Sequence, residues 1–140
     1  MDKIKLGIEY ILDTNAIREI GFEHIENIKS KGNIVVTIED VKSEIEGNDK
    51  LNRLSGVISL KKESYIVLEN LIKNSPEARQ LLDYYNNKGQ ADAPLLAYAL
   101  TPQEGMFEYE RVIVTNDKPL QSACGKCKVT WIASKAFLSQ

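Results

Sequence analysis

The chain predicts a single α/β domain whose parallel sheet is covered by helices on both faces. Short apolar runs rich in β-branched residues, such as Ile34 to Val36 and Arg111 to Thr115, have the length of buried strands. Longer segments with helical periodicity lie between them. Strands and helices alternate, the pattern that yields parallel strands joined by crossovers. A length of 140 residues with 43% apolar content suits one domain with a real core.

Taken in order, Ile8 to Leu12 reads as the first strand. Asn15 to about Ser30 reads as a helix with Ile17, Ile20, Ile25 and Ile28 as its apolar positions, and Gly21 as a point of bending or breaking. Gly32-Asn33 is a turn before the buried strand Ile34 to Val36. Thr37 followed by Asp40 resembles a capping box, and Ile38, Val41 and Ile45 line the helix expected after it. Gly47-Asn48 would end that helix. Val57 to Leu60 is a weaker strand near an edge, and Ser64 to Lys73 is helical. Ser75-Pro76-Glu77 starts another helix, with Ser as cap and Pro at the first helical position, running through Leu81, Leu82 and Tyr85 to Lys88-Gly89. Asp92 to Leu100 is a short helix whose alanines allow close approach to a sheet. Arg111 to Thr115 is the central strand, and Lys128 to Ile132 the last.

Charge and composition narrow the function. The formal net charge is −2, so there is no global basic footprint of the kind many nucleic-acid binders carry, although a local basic rim is compatible with it. The run MDKIKLGIEYILD carries charges early and does not read as a signal peptide. No window approaches a membrane span, so a cytoplasmic protein with no membrane partner is expected. Cys124 and Cys127 form a lone C-x-x-C, and His24, the single histidine, is far away in sequence. A structural zinc site needs four ligands, so neither zinc nor dithiol chemistry is expected there.

Four acids carry the chemistry. Asp13, Glu44, Asp92 and Asp117 each lie at or just beyond the end of an apolar run, where a strand stops or a helix begins. In open α/β sheets ligands bind outside the carboxyl ends of the strands. Asp13 follows the first strand directly, Asp117 lies two residues beyond the fourth, and Asp92 opens a helix. Glu44 sits about two helical turns past Thr37 and reaches the same rim if its helix leans across the strand ends. Four carboxylates at one place repel one another, and a divalent cation is the natural counter-charge. Hard oxygen ligands favour Mg2+ or Mn2+ over zinc. Metal ions can activate water and stabilise a leaving oxygen, in two-metal sites about 4 Å apart, without histidine or cysteine. Asn15, Thr115 and Asn116 are expected to orient carboxylates, water or phosphate, and Lys118 and Arg18 to neutralise a substrate phosphate. Taken singly, each acid has a plainer role. Asp13 and Asp92 suit helix caps, Glu44 a solvated surface and Asp117 a turn. The joint pattern favours the site.

These segments resemble the PIN-domain ribonucleases. LDTNAI is similar to the first motif of that family, VKSEI to the second, ADAPLLAYAL to the third and VIVTNDKPL to the fourth. The likeness runs from about Ile8 to Ser134. It implies a three-layer α/β/α fold with a central, mainly parallel sheet of about five strands, and metal-dependent endonucleolytic cleavage of RNA. By position, Asp13, Glu44, Asp92 and Asp117 take the metal-binding, catalytic roles, and Asn15 and Thr115 the polar support. Lys118-Pro119 stands where some relatives carry a further acid.

The resemblance divides into two branches. TIEDVKSEIE and TNDKPLQSA are similar to the ribosomal-RNA maturation type, whose partner is a ribosomal precursor. A small single domain is similar to the toxins of toxin–antitoxin pairs, held inactive by a partner protein. Relatives often dimerise, so a homodimer is an expectation of both. A different class, a catalytically silent module that binds RNA or protein, fits the missing further acid and the negative charge. A phosphatase or phosphotransfer receiver fits less well, because Asp13-Thr14-Asn15 lacks a second Asp.

Overall fold

The computed structural model describes residues 3–74, 76, 79 and 92–139, with only the backbone of Ile72 and Asp92. Its strands are β1 (Ile4–Leu12), β2 (Ile34–Ile38), β3 (Gly56–Ile58), β4 (Phe107–Val114) and β5 (Thr130–Ile132). They form one sheet of order β3-β2-β1-β4-β5 in which every pair is parallel. The helices are α1 (Thr14–Glu19), α2 (Phe22–Ser30), α3 (Glu39–Glu44), α4 (Lys62–Asn74), α5 (Asp92–Leu100), α6 (Lys118–Lys126) and α7 (Ser134–Leu138), with a 3-10 turn at Asp49–Arg53.

Neighbouring residues of β1 show the three layers directly, because successive side chains in a strand point to opposite faces. Glu9 meets Tyr98 of α5 on one face. Tyr10 meets Phe137 of α7 on the other, with ring centroids 4.9 Å apart. His24 of α2 joins that second face: its ring sits edge-on to Phe137, and its Nε2–H donates to the Phe137 carbonyl at 2.8 Å. The sheet is thus sandwiched between helices, and the core is its two apolar faces. Ile11, Leu12, Val35, Ile38, Ile113 and Val114 are almost fully buried, packed by Ile17, Ile25 and Ile28 from one side and Leu95 and Leu96 from α5.

Burying so many carboxylate-free positions is simple; one charged pair in the sheet needs compensation. Glu9 and Arg111 face each other across β1 and β4, with Arg111 Nε donating to Glu9 at 2.8 Å. Tyr98 donates its hydroxyl to the other Glu9 oxygen at 2.6 Å. Arg111 also donates to the carbonyls of Tyr98 and Thr101, which end α5, and its guanidinium lies 4.2 Å from the Tyr98 ring centroid. The network fastens the end of α5 to the sheet at mid-strand. Burial and the Glu9 carboxylate push the Tyr98 hydroxyl well above its usual range.

Several boundaries differ from the sequence reading. The expected helix Asn15 to Ser30 is two helices, broken at Ile20-Gly21 as the glycine suggested. Lys50 stabilises the break by donating its ammonium to the Ile17 and Arg18 carbonyls left open at the end of α1. The capping box is absent. Thr37 belongs to β2, and its hydroxyl donates to the Leu12 carbonyl at 2.7 Å, while Ile38 occupies the cap of α3 without a side-chain bond. A β-branched residue flanked by Val36 and Ile38 continues the strand rather than leaving it. The Ser75 helix start and the segment through Leu81, Leu82, Tyr85 and Gly89 lie outside the described residues apart from Pro76 and Arg79, which are helical. Cys124 is buried in the core and Cys127 packs against it. No helix among the described residues is long and apolar enough to cross a membrane.

Candidate metal centre

The sheet order fixes where a site can form. From β1 the chain moves outward to β2 and β3, then returns across the sheet to β4 on the other side of β1. β1 and β4 are therefore neighbours whose connections leave in opposite directions, and the crevice above their carboxyl ends is the topological switch point where open α/β sheets bind ligands. Leu12 and Val114 are the last paired residues of these strands. Asp13 and Thr115 are the next residues on each.

Asp13 is 5% exposed and Thr115 is fully buried. The Asp13 backbone N–H still bonds the Val114 carbonyl, so the carboxylate is held at the strand end. Its Oδ1 accepts from the Ala16 amide at 2.8 Å, which caps α1, and its Oδ2 accepts from the Thr115 hydroxyl at 2.5 Å. The same Thr115 oxygen accepts from the Asp117 amide at 3.0 Å. Asp117, half-buried, caps α6 by accepting from the Leu120 amide through Oδ2 at 2.9 Å. One hydroxyl thus ties both acids together. Burial raises the Asp13 pKa above the ordinary value. The Thr115 and Ala16 hydrogen bonds oppose that shift, and the negative charges of Asp117 and Glu19 add to it.

The other predicted residues are spread around this pair. Glu44 is exposed at the end of α3 and accepts a short hydrogen bond from the Thr14 hydroxyl, beside Asp13 in sequence. Thr14 is a contact that sequence reasoning missed, and its only signal was its place between Asp13 and Asn15. Asn15 is exposed and accepts from Arg18 at 3.3 Å. Asn116 accepts from the Ser134 amide at 2.9 Å, tying the end of β4 to the start of α7. Its role in the fold is to hold the rim together. Lys118 is exposed at the first position of α6.

Asp92 is the first residue of α5. The other end of that helix is fixed at mid-sheet by the bond from Tyr98 to Glu9. Six residues of helix span roughly 9 Å, and the four residues from Glu9 to Asp13 span roughly 13 Å of strand. A helix antiparallel to the strands therefore carries Asp92 toward the Asp13 end of the sheet, roughly 4 Å short of its level. The Asp92 side chain lies outside the described residues. Among the described residues no group of three or more His, Cys, Asp or Glu side chains could hold a metal ion. Of the four acids, then, two are brought together by one hydroxyl, Glu44 is held by Thr14 without joining them in a group that could hold a metal, and the fourth is placed only by its backbone.

The donor chemistry fits a hard divalent cation. Each Asp13 oxygen carries one hydrogen bond and keeps a further lone pair. Asp117 Oδ1 accepts no hydrogen bond among the described residues, so it too has acceptor capacity. Two carboxylates with raised repulsion and oxygen-only donors match the preference of magnesium for one or two carboxylates plus water. Against proteins already characterised, neither the family models nor the curated sequences give a match to this chain.

Proposed function

We propose that this chain is a cytoplasmic, PIN-type endoribonuclease that hydrolyses RNA phosphodiester bonds at the rim above β1 and β4. The observation that carries the reading is the buried Asp13 carboxylate joined to Asp117 through Thr115 at the switch point. Burial of the Asp13 carboxylate carries a desolvation cost that its hydrogen bonds only partly offset, and a bound cation would offset the rest.

Asp13 and Asp117 would hold Mg2+ or Mn2+, with Glu44 and Asp92 as further acids of the rim. When bound, the cation supplies activation of water and stabilisation of the leaving oxygen. The chain's own residues do the positioning. Thr115 holds Asp13 in one rotamer and fixes the first amide of the Asp117 turn. Thr14 tethers Glu44. Lys118 and Arg18, both exposed beside the acids in sequence, offer positive charge to substrate phosphates. Asn15 and the amide nitrogen of Asn116 can donate to phosphate oxygens.

RNA is the proposed substrate. Maturation of a ribosomal precursor and a toxin silenced by an antitoxin use the same chemistry, and mapped cut sites separate the two. A homodimer would extend the binding surface in either case. The second reading, a silent module that binds RNA or protein without cutting, is favoured by Lys118-Pro119 in place of a further acid. The two are resolved by incubating the protein with a pool of structured and single-stranded RNAs in EDTA, Mg2+ or Mn2+. Cutting that requires the metal supports the nuclease. RNA that is bound but never cut under any metal assigns the silent module.

A further inference from the structure

We infer that the cavity between the start of α4 and the end of α5 is a binding site for a free α-amino acid with an apolar side chain, its carboxylate on Arg111 and its ammonium at Glu63 and Glu104. The inference goes beyond the nuclease reading and does not depend on it.

The cavity holds about 480 Å³, inside the range of roughly 300–1,000 Å³ usual for small-molecule sites. It is separate from the candidate metal centre. Asp13, Glu44, Thr115 and Asp117 do not line it. Arg111, which does, lies four residues before Thr115 on β4, roughly 13 Å along the strand.

Arg111 is the informative residue. Its side chain is only 13% exposed, and a buried guanidinium needs partners. Nε donates to Glu9, and Nη1 donates to the Tyr98 and Thr101 carbonyls. Those three bonds are what anchors α5 to the sheet. A guanidinium has five N–H donors, so two remain, both on Nη2, which makes no hydrogen bond among the described residues. Glu9 lies behind Arg111 and does not line the cavity.

Most other polar atoms of the wall are committed to the fold. Ser59 donates to Glu39, Thr101 and Ser64 share a hydrogen bond, and Gln103 exchanges two bonds with the Tyr109 backbone. What is left to a ligand is charge. Lys61 and Arg111 are the cations of the wall, and Glu63 and Glu104 the anions. Lys61, Glu63 and Glu104 form no ion pair among the described residues and are exposed at the mouth. Ile58, Pro102 and the Tyr98 ring supply apolar surface. A ligand of one net charge would meet repulsion as well as attraction here. A small zwitterion satisfies both signs at once, and an apolar side chain suits the remaining wall.

The test is calorimetric titration of the full chain in EDTA with L-leucine and with L-phenylalanine. Saturable binding of at least one of them, with a Kd below about 5 mM, is expected. The amide of the amino acid that binds keeps the ammonium but has no carboxylate, and should bind about tenfold more weakly, because a charge-assisted hydrogen bond at the cavity floor is lost. The double variant Glu63→Gln, Glu104→Gln should weaken binding by about two- to fivefold, as suits exposed charges. Circular dichroism verifies that it is folded. In 15N-labelled protein the amides of Thr101 and Gln103 should shift on binding. No heat from either amino acid at about 20 mM overturns the inference. So does an amide derivative that binds equally well, a double variant that binds as wild type, or shifts confined to the rim of Asp13 and Asp117. RNA cleavage is measured separately, and the nuclease reading stands or falls without regard to these results.

Discussion

At the scale of single residues, Asp13 decides most of the behaviour. Its folded pKa is raised, chiefly by burial, so its ionised form is penalised in the native state. The sign follows: its contribution to stability is greatest in acid, below the unfolded value of 3.8, and is lost as pH rises through the raised folded value. Asp13→Asn should therefore melt at or above the wild-type temperature at pH 7 without metal, with the difference shrinking as pH falls. Scanning calorimetry across pH 4 to 8 measures it, and a large loss at neutral pH would show that the carboxylate stabilises the fold. Metal affinity should weaken on acidification at a pH above that of an ordinary carboxylate, because protons compete for Asp13. Thr115 is the companion test. Thr115→Val leaves the Asp13 oxygen and the Asp117 amide short of a partner, which costs about 1–3 kcal/mol by urea unfolding, whereas Thr115→Ser should restore most of it. The role of Thr115 was legible because it ends a buried strand two residues before an acid. Its double use, as donor to Asp13 and acceptor from Asp117, was not, since pairing across strands is a long-range fact.

Elements were legible where local preference and burial agree. β2 and β4 stood out because Ile and Val suit a strand covered on both faces. Their ends were misjudged where the same residue types serve two purposes. Thr37 is both a good cap and a good strand residue, and the strand prevailed because its hydroxyl found the Leu12 carbonyl. The lower half of β1 was missed since Ile4 and Leu6 are exposed and Gly7 interrupts the run. Gly7 has φ +151°, and a Cβ there would lie 2.7 Å from the Gly32 carbonyl oxygen and 3.0 Å from Asn33 Oδ1. Asn33 Oδ1 is also the acceptor for the Ile8 amide at 2.9 Å, so the close approach is used. Gly7→Ala should then destabilise the protein by about 1–3 kcal/mol through backbone strain and the clash. Chemical denaturation gives the value, and a neutral result would mean that β1 shifts freely between Lys5 and Gly7, where its register with β4 is irregular.

For the whole molecule, the sheet order is what creates the site. Asp13 and Asp117 are 104 positions apart in sequence, and only the return of the chain to the far side of β1 makes them neighbours. Alternation of strands and helices predicts parallel pairing but not this order, so the meeting of the acids was inferred from their common place after strand ends and from the resemblance. The buried network of Glu9, Arg111 and Tyr98 links that geometry to stability, because it pins the helix that begins with Asp92. Arg111→Ala leaves a buried glutamate unpaired and should cost about 3–5 kcal/mol, with cleavage reduced alongside; full stability would remove this network as the anchor of α5. Mg2+ at about 100 times its Kd should add about 2.7 kcal/mol to wild-type stability and much less to Asp13→Asn. The most direct measurement is the rate of Mg2+- or Mn2+-dependent RNA cleavage by wild type and by Asp13→Asn, each with its thermal melt taken in the same buffer. The account predicts cutting by wild type, no detectable cutting by the variant, and a melt that is unchanged or higher. Undiminished cutting by a well-folded Asp13→Asn protein would contradict it.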